Sequence, residues 1–269
     1  MMRKMTIYFL LFLSAAVLFF PILYALSASF MNPAEIYAGK FLPSEVNFDA
    51  YRAVFDKVPL LHYLKVSFIM SSVVMLGQLV ISSLSAYALV FIPFKGRNLI
   101  FLLFLSTMLI PWETTVIPNF LTVLHLDWLD SYPGLTIPFF AIPFGIFLLR
   151  QHFLTLPKEL WESVQMDGCG RFRFYLQFVI PLSKSSLSAL GIYGFLTTWN
   201  KYLWPLLITN SDQVRPVQIG LKMLIANESS SSWNLVMAAV ILILLPTLVL
   251  LFVGMKYIRE GLTAGAVKG

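Results

Sequence analysis

The feature that most constrains this chain is the recurrence of apolar runs near the length of a bilayer-crossing helix. About 20 consecutive apolar residues span a hydrocarbon core of roughly 30 Å. Six runs approach that length: 5–30, 66–92, 99–118, 132–149, 181–208 and 233–255. The first, second and sixth carry the plainest pattern. The other three contain prolines, Glu113, Asn200 or Lys201, which blur their ends. The expected fold is therefore all-α, integral to the membrane, with six transmembrane helices in a single transmembrane domain over residues 1–269. The first run begins after Arg3 and Lys4, as a signal peptide would, but its apolar stretch exceeds the roughly 7–15 residues of a signal core. It reads as a retained helix.

Composition agrees. Hydrophobic residues make up 58% and charged residues 12%, with mean hydropathy +0.80, against about 25% charged residues in soluble domains. A soluble fold of 269 residues could not hide that much apolar surface. The net charge of +6 does not indicate nucleic acid, because the basic residues lie between apolar runs and form no stripe. Cys169 stands alone, so no intrachain disulfide is possible. His62, His125 and His152 are scattered, and no metal site is expected.

The distribution of Lys and Arg sets an orientation. With the N-terminus cytoplasmic, the inner segments hold Arg3, Lys4, Lys95, Arg97, Arg150, Lys158, Arg171, Arg173, Lys184, Lys256, Arg259 and Lys268 against Glu159, Glu162, Asp167 and Glu260. The predicted topology has both termini in the cytoplasm. Three outer loops follow: 31–65, with a short helix over 48–57; 119–131; and 210–232, ending in a flexible run at 229–232.

The inner segment 150–180 is far longer than the 2–8 residues that join antiparallel helices, and its aromatic content argues against disorder. Pro157 suits a helix start, and Glu159 and Glu162 suit its positive end. Leu160, Trp161 and Val164 form one apolar face. Gly168 suits the left-handed turn that ends such a helix. A second helix is predicted from Arg171 to Ile180, stopping at Pro181. A short amphipathic helix of this kind either docks in a groove of a soluble partner or lies on the bilayer surface; the residues alone leave both open.

Glu162-Ser163-Val164-Gln165-Met166-Asp167-Gly168, followed at a distance by Ile180-Pro181, resembles the EAA coupling loop of ABC importer permeases. Ser163 and Val164 replace that motif's two alanines. Trp199-Asn200-Lys201-Tyr202-Leu203-Trp204-Pro205-Leu206 and the tail from Gly261 resemble the carbohydrate-uptake branch, of maltose and glycerol-phosphate type. The resemblance implies a type I importer permease in a bacterial cytoplasmic membrane. It also implies a second permease subunit, a cytosolic ATPase dimer and an extracytoplasmic solute-binding protein as partners. Glu162, Ser163, Asp167 and Gly168 would then couple to the ATPase. The chain itself has no G-x-x-x-x-G-K-[ST] phosphate loop, so no cofactor is expected here and ATP would be bound by the partner. No catalytic residues are expected. The solute would be a sugar, oligosaccharide or sn-glycerol 3-phosphate.

Polar groups inside spans are costly against lipid and mark a solute path. The candidates are Asn200, Lys201, Trp199, Tyr202, Glu113 and Thr114, with Thr115, Thr197 and Thr198 beside them. Ser82, Ser83 and Ser85 read as helix-packing groups, and Trp204 and Trp233 as interfacial aromatics. A membrane-embedded enzyme acting on lipid, or a secondary transporter, would need clustered acids or an ion site that the sequence does not supply.

Overall fold

A computed structural model describes residues 2–166, 168–227 and 232–263. Among them every regular element is helical. In chain order these are α1 (Met2–Ala28), α2 (Pro33–Tyr37), α3 (Asp49–Lys57), α4 (Leu60–Phe91), α5 (Arg97–Thr107) and α6 (Trp112–His125). Next come α7 (Tyr132–Thr136), continued by a 3₁₀ turn at Ile137–Phe139, then α8 (Pro143–Phe153) and α9 (Lys158–Met166). A run of α10 (Arg171–Phe174), a π-helical stretch (Tyr175–Val179) and α11 (Ile180–Leu182) leads into α12 (Lys184–Trp199). The chain closes with α13 (Leu203–Ile208), α14 (Val217–Asn227) and α15 (Trp233–Thr263).

Three helices are individually long and apolar enough to cross a membrane: Lys4–Ala28, Leu60–Phe91 and Trp233–Met255. These are the first, second and sixth predicted spans. The other three are bent pairs. Arg97–Thr107 and Trp112–His125 meet at 97°, Tyr132–Phe139 and Pro143–Phe153 at 46°, and Arg171–Leu182 and Lys184–Trp199 at 79°. Counting each pair as one crossing gives six among the described residues.

Proline accounts for two of the breaks. A residue preceding proline is driven from helical to extended conformation. Ile142, just before Pro143, sits at φ −124°, ψ 115°, and at the other break Pro111 stands as the N-cap of α6 with ψ 135°. The third proline acts differently. The second loop helix was expected to stop at Pro181, yet the helical run passes through it and breaks at Ser183 (φ −105°, ψ 16°). Pro181 cannot donate to the carbonyl four residues earlier, and its ring crowds that carbonyl. The backbone relaxes into the wider π turn just before it.

The predicted loops are shorter than expected for the same reason that helices propagate wherever nothing stops them. Residues 119–125 belong to α6, α4 begins at Leu60, and α14 occupies the middle of the third predicted outer loop. The Ser229–Ser231 part of the predicted flexible run, and the tail after Thr263, lie outside the described residues.

The chain divides into two compact units, Met1–Leu64 with Val217–Thr247, and Lys65–Pro216 with Leu248–Gly269. In the first, the predicted helix α3 is held to the end of α1. Ser29 and Tyr51 share a hydroxyl–hydroxyl bond of 2.7 Å, the Phe30 ring meets Phe48 and Tyr51 at 5.3 Å, and Asn47 N–H donates to Phe30 O at 3.1 Å. Glu35 organises the adjoining loop. Its carboxyl is held down to about 2 by the Ser44 hydroxyl first, then by the amides of Ser44 and Asn32.

The second unit has two apolar cores. One joins Ala86 and Tyr87 of α4, Leu149 and Phe153 of α8, Val164 of α9, and Phe174, Tyr175 and Val179. The other gathers Met70, Val74, Val123, Leu135, Phe139 and Trp204. Trp204, expected as an interfacial aromatic, is instead 1% exposed. Its indole N–H donates to Gly134 O at 3.0 Å, the partner a buried Trp requires. Among the serines read as packing groups, Ser83 fits that role, its hydroxyl bonding the Tyr175 hydroxyl at 2.7 Å.

Gly77 on α4 faces Phe140 so closely that a Cβ there would lie 2.5 Å from the ring. Overpacking of this kind costs about 1–3 kcal/mol. Gly77→Leu should therefore lower the thermal unfolding temperature of the detergent-solubilised protein, whereas an unchanged melt would show that α4 and the Phe140 segment separate freely.

Candidate functional site

The loop singled out by the sequence forms a compact buttress. Its helix α9 ends in a Schellman turn: Cys169 N–H donates to Val164 O at 3.2 Å and Gly168 N–H to Gln165 O at 3.0 Å. This pattern needs a left-handed residue at Gly168, which has φ +75°. No atom would meet a Cβ there within 4 Å, so conformation rather than space selects glycine. The usual apolar contact across such a turn is made by Val164 and Cys169, both 9% exposed.

The apolar face of α9 does not await a partner, as the sequence reading had allowed. Leu160, Trp161 and Val164 pack into the chain's own core. Trp161 meets Phe174 at 4.9 Å. The Tyr87 hydroxyl donates to Arg171 O at 2.7 Å, and the Ser83–Tyr175 bond ties the next turn to α4. The face left in solvent carries Glu159, Glu162, Ser163, Gln165 and Met166, with Met166 90% exposed. Asp167, expected beside them, lies outside the described residues.

The second feature is a cavity of about 460 Å³ at the helix breaks, lined by Gln78, Trp112, Thr115, Asn119, Phe139, Tyr193, Thr197 and Lys201 among others. Lys201 enters from the turn after α12. Its ammonium sits 4.0 Å from the Phe139 ring centre and 5.3 Å from that of Trp112, a cation–π arrangement. Glu113 is near enough to act on it electrostatically.

The other expected path residues are spread out. Asn200 is exposed and caps α12, its side-chain N–H₂ donating to Leu196 O at 2.8 Å. Thr114 is exposed and turned onto Pro111 O at 2.7 Å. Tyr202 and Glu113 are exposed. Trp199 does not line the cavity: it is 2% exposed and stacks on Phe195 at 5.7 Å. Among the described residues no group of three or more His, Cys, Asp or Glu could hold a metal ion.

Residues 78–263 match the family described as "Binding-protein-dependent transport system inner membrane component". The chain belongs to this family. It is similar to the sn-glycerol-3-phosphate transport system permease protein UgpE of Escherichia coli O1:K1, at 36% identity over 94% of this chain and 93% of the relative. The UgpE of Yersinia pestis bv. Antiqua is 41% identical over 73% of this chain and 70% of its own length. A bacterial ABC transporter involved in the import of the acidic polysaccharide alginate has a chain of the same fold, with a TM-score of 0.85, 24% identity, and coverage of 95% of this chain and 96% of that one.

Within this inner-membrane transport component, sequence reasoning missed two residues that the geometry brings forward. Gln78, on α4, is 4% exposed. Its N–H₂ donates to Phe139 O at 3.0 Å, which fixes the turn between α7 and α8, while its carbonyl oxygen is buried without a partner. A lone amide in an apolar helix was a legible signal for it.

Asp130 is the second. It adopts φ +50° and accepts hydrogen bonds from the amides of Asn210 and Ser211 at 2.7 and 2.9 Å. Partial burial alone would raise its pKa, but those two amides and the Ser211 hydroxyl hold it below the ordinary aspartate value. A depressed folded pKa stabilises above the unfolded value and loses that contribution as pH falls through the lowered one. Asp130→Ala leaves two amides unpaired, and hydrogen exchange at Asn210 and Ser211 should quicken about tenfold. Equal exchange in variant and parent would remove the clamp.

Proposed function

We propose that this permease is one of two membrane subunits of an ATP-driven importer, with both termini cytoplasmic, and that a cytosolic ATPase dimer engages α9. The observation that carries this reading is the division of α9 into two faces. Its apolar face is fused to the cores of α4 and α8, so a push on its polar face moves those helices rather than bending a loop. Glu162, Ser163 and Gly168, with Asp167 beside them, are the coupling residues. The excess of Lys and Arg in the inner segments supports the orientation. The ATPase supplies the energy, since this chain has no phosphate-binding loop of its own. Its closure and release would alternate the cavity between the two sides of the membrane.

An extracytoplasmic binding protein would deliver the solute, which we assign to the class of sugars, oligosaccharides and sn-glycerol 3-phosphate. The names of the relatives favour the phosphate ester. So does Lys201, a cation held between two aromatic faces in a cavity of about 460 Å³. Asn200, Tyr202, Glu113 and Thr114 would serve at the rim of the path. Trp199 would support it from within the packing.

Lys201→Met in the assembled importer should cut uptake of radiolabelled glycerol 3-phosphate about tenfold or more, the worth of one charge-assisted contact, while the ATPase still co-purifies. Unchanged uptake would remove Lys201 from the path. Failure of the wild-type permease to co-purify with any ATPase would overturn the importer reading itself.

A further inference from the structure

A separate recess of about 260 Å³ lies against α9, and its lining includes Phe91, Arg97, Arg150, Leu154, Trp161 and Glu162. It has no part in the solute path described above. Two ladders build it. On α5, Arg97 and Phe101 are four residues apart and share a face. On α8, Phe147 and Arg150 are three apart and share another. Phe101 stacks on Phe147 at 6.4 Å with the ring planes 10° apart, and the Arg150 guanidinium lies 4.0 Å from the Phe101 ring centre. The rings thus hold Arg150 in place and bring it close enough to Arg97 for mutual repulsion.

Neither arginine has an ion pair among the described residues. The Arg150 Nε is buried with no hydrogen-bond partner. Glu162 borders the recess without pairing with either, so two positive charges face one negative. A guanidinium stacked on a ring keeps its N–H edge free, and that edge matches the geometry of a phosphate.

We propose that this recess binds the phosphate of an anionic membrane phospholipid. Phosphate is the shared chemistry of a lipid headgroup and a free anion, and the surroundings select the lipid. The arginines stand at the start of α5 and the end of α8, where helices that enter a bilayer reach its polar boundary. Beyond them α5 exposes Leu99, Leu102 and Leu103 at 61%, 61% and 57%, a surface suited to acyl chains. Basic recesses between helix ends are a recurring form of anionic-headgroup site. Occupancy would neutralise the arginine pair beside Glu162 and brace the recess wall to which α9 contributes Trp161.

The test uses the full-length permease in membranes of phosphatidylglycerol and phosphatidylcholine. The ratio of the two lipids retained on purification is measured by mass spectrometry. The wild type should enrich phosphatidylglycerol. Arg97→Gln, at an exposed helix start, should lower that enrichment about fivefold, the worth of about 1 kcal/mol per surface arginine. Arg150→Lys, which keeps the charge but loses the fork, should lower it as well with the melting temperature in phosphatidylcholine unchanged. Equal enrichment in both variants and the wild type would overturn the site. If inorganic phosphate stabilises the wild type in phosphatidylcholine as phosphatidylglycerol does, the occupant is a soluble anion and the lipid assignment fails. If Arg97→Gln instead reduces co-purified ATPase at unchanged lipid enrichment, the recess serves the protein partner and the proposal falls.

Discussion

The structure depends on one piece of packing: the apolar side of a nine-residue helix, α9, sunk into the core formed by the ends of α4 and α8. Trp161 against Phe174, Val164 beside Cys169, and the tyrosines at 87 and 175 make that contact. Burying such side chains contributes roughly 1.5–3 kcal/mol each. A short helix could not hold its shape on the surface alone, because an isolated helix below about 12 residues is marginal in water. Packed this way, it shares one core with the ends of the long helices. Motion applied to its exposed face would reach α4, which also carries Gln78 at the cavity.

The helix breaks supply the other half of the design. A backbone that leaves the helix inside a membrane must be buried in protein or line a wet cavity. The breaks near Pro111, Pro138 and Pro143 gather around a cavity that holds Lys201, Gln78 and three threonines. Irregular backbone and polar side chains thus occupy the same place for the same reason: neither tolerates lipid. Gln78 links the two, since its amide holds the Phe139 carbonyl freed at one such break.

Much of this was legible in the sequence. The apolar runs without internal interruption became single helices, because nothing in 66–92 or 233–255 competes with helix propagation except Pro246, which the helix accommodates. The left-handed turn at Gly168 was legible because only glycine adopts it at little cost. What the sequence did not reveal was long-range. Hydrophobic periodicity marks an apolar face on α9 but not what covers it: the cover joins nearby Phe174 to Tyr87 of α4, 87 positions earlier than Phe174. Trp204 looked interfacial by its neighbours, while its burial depends on Gly134, 70 residues earlier. Proline signalled that the third, fourth and fifth runs were unusual without giving the angle of each bend, which packing decides.

The two faces of α9 offer the most direct test of the account. Single cysteines would be placed at Ser163, Met166, Trp161 and Val164 in a Cys169→Ala background, and cross-linking to the ATPase of the assembled importer would be measured. Adducts are expected from positions 163 and 166 and none from 161 and 164, whose side chains are committed to the chain's own core. Adducts from 161 or 164 in place of 163 and 166 would contradict that expectation.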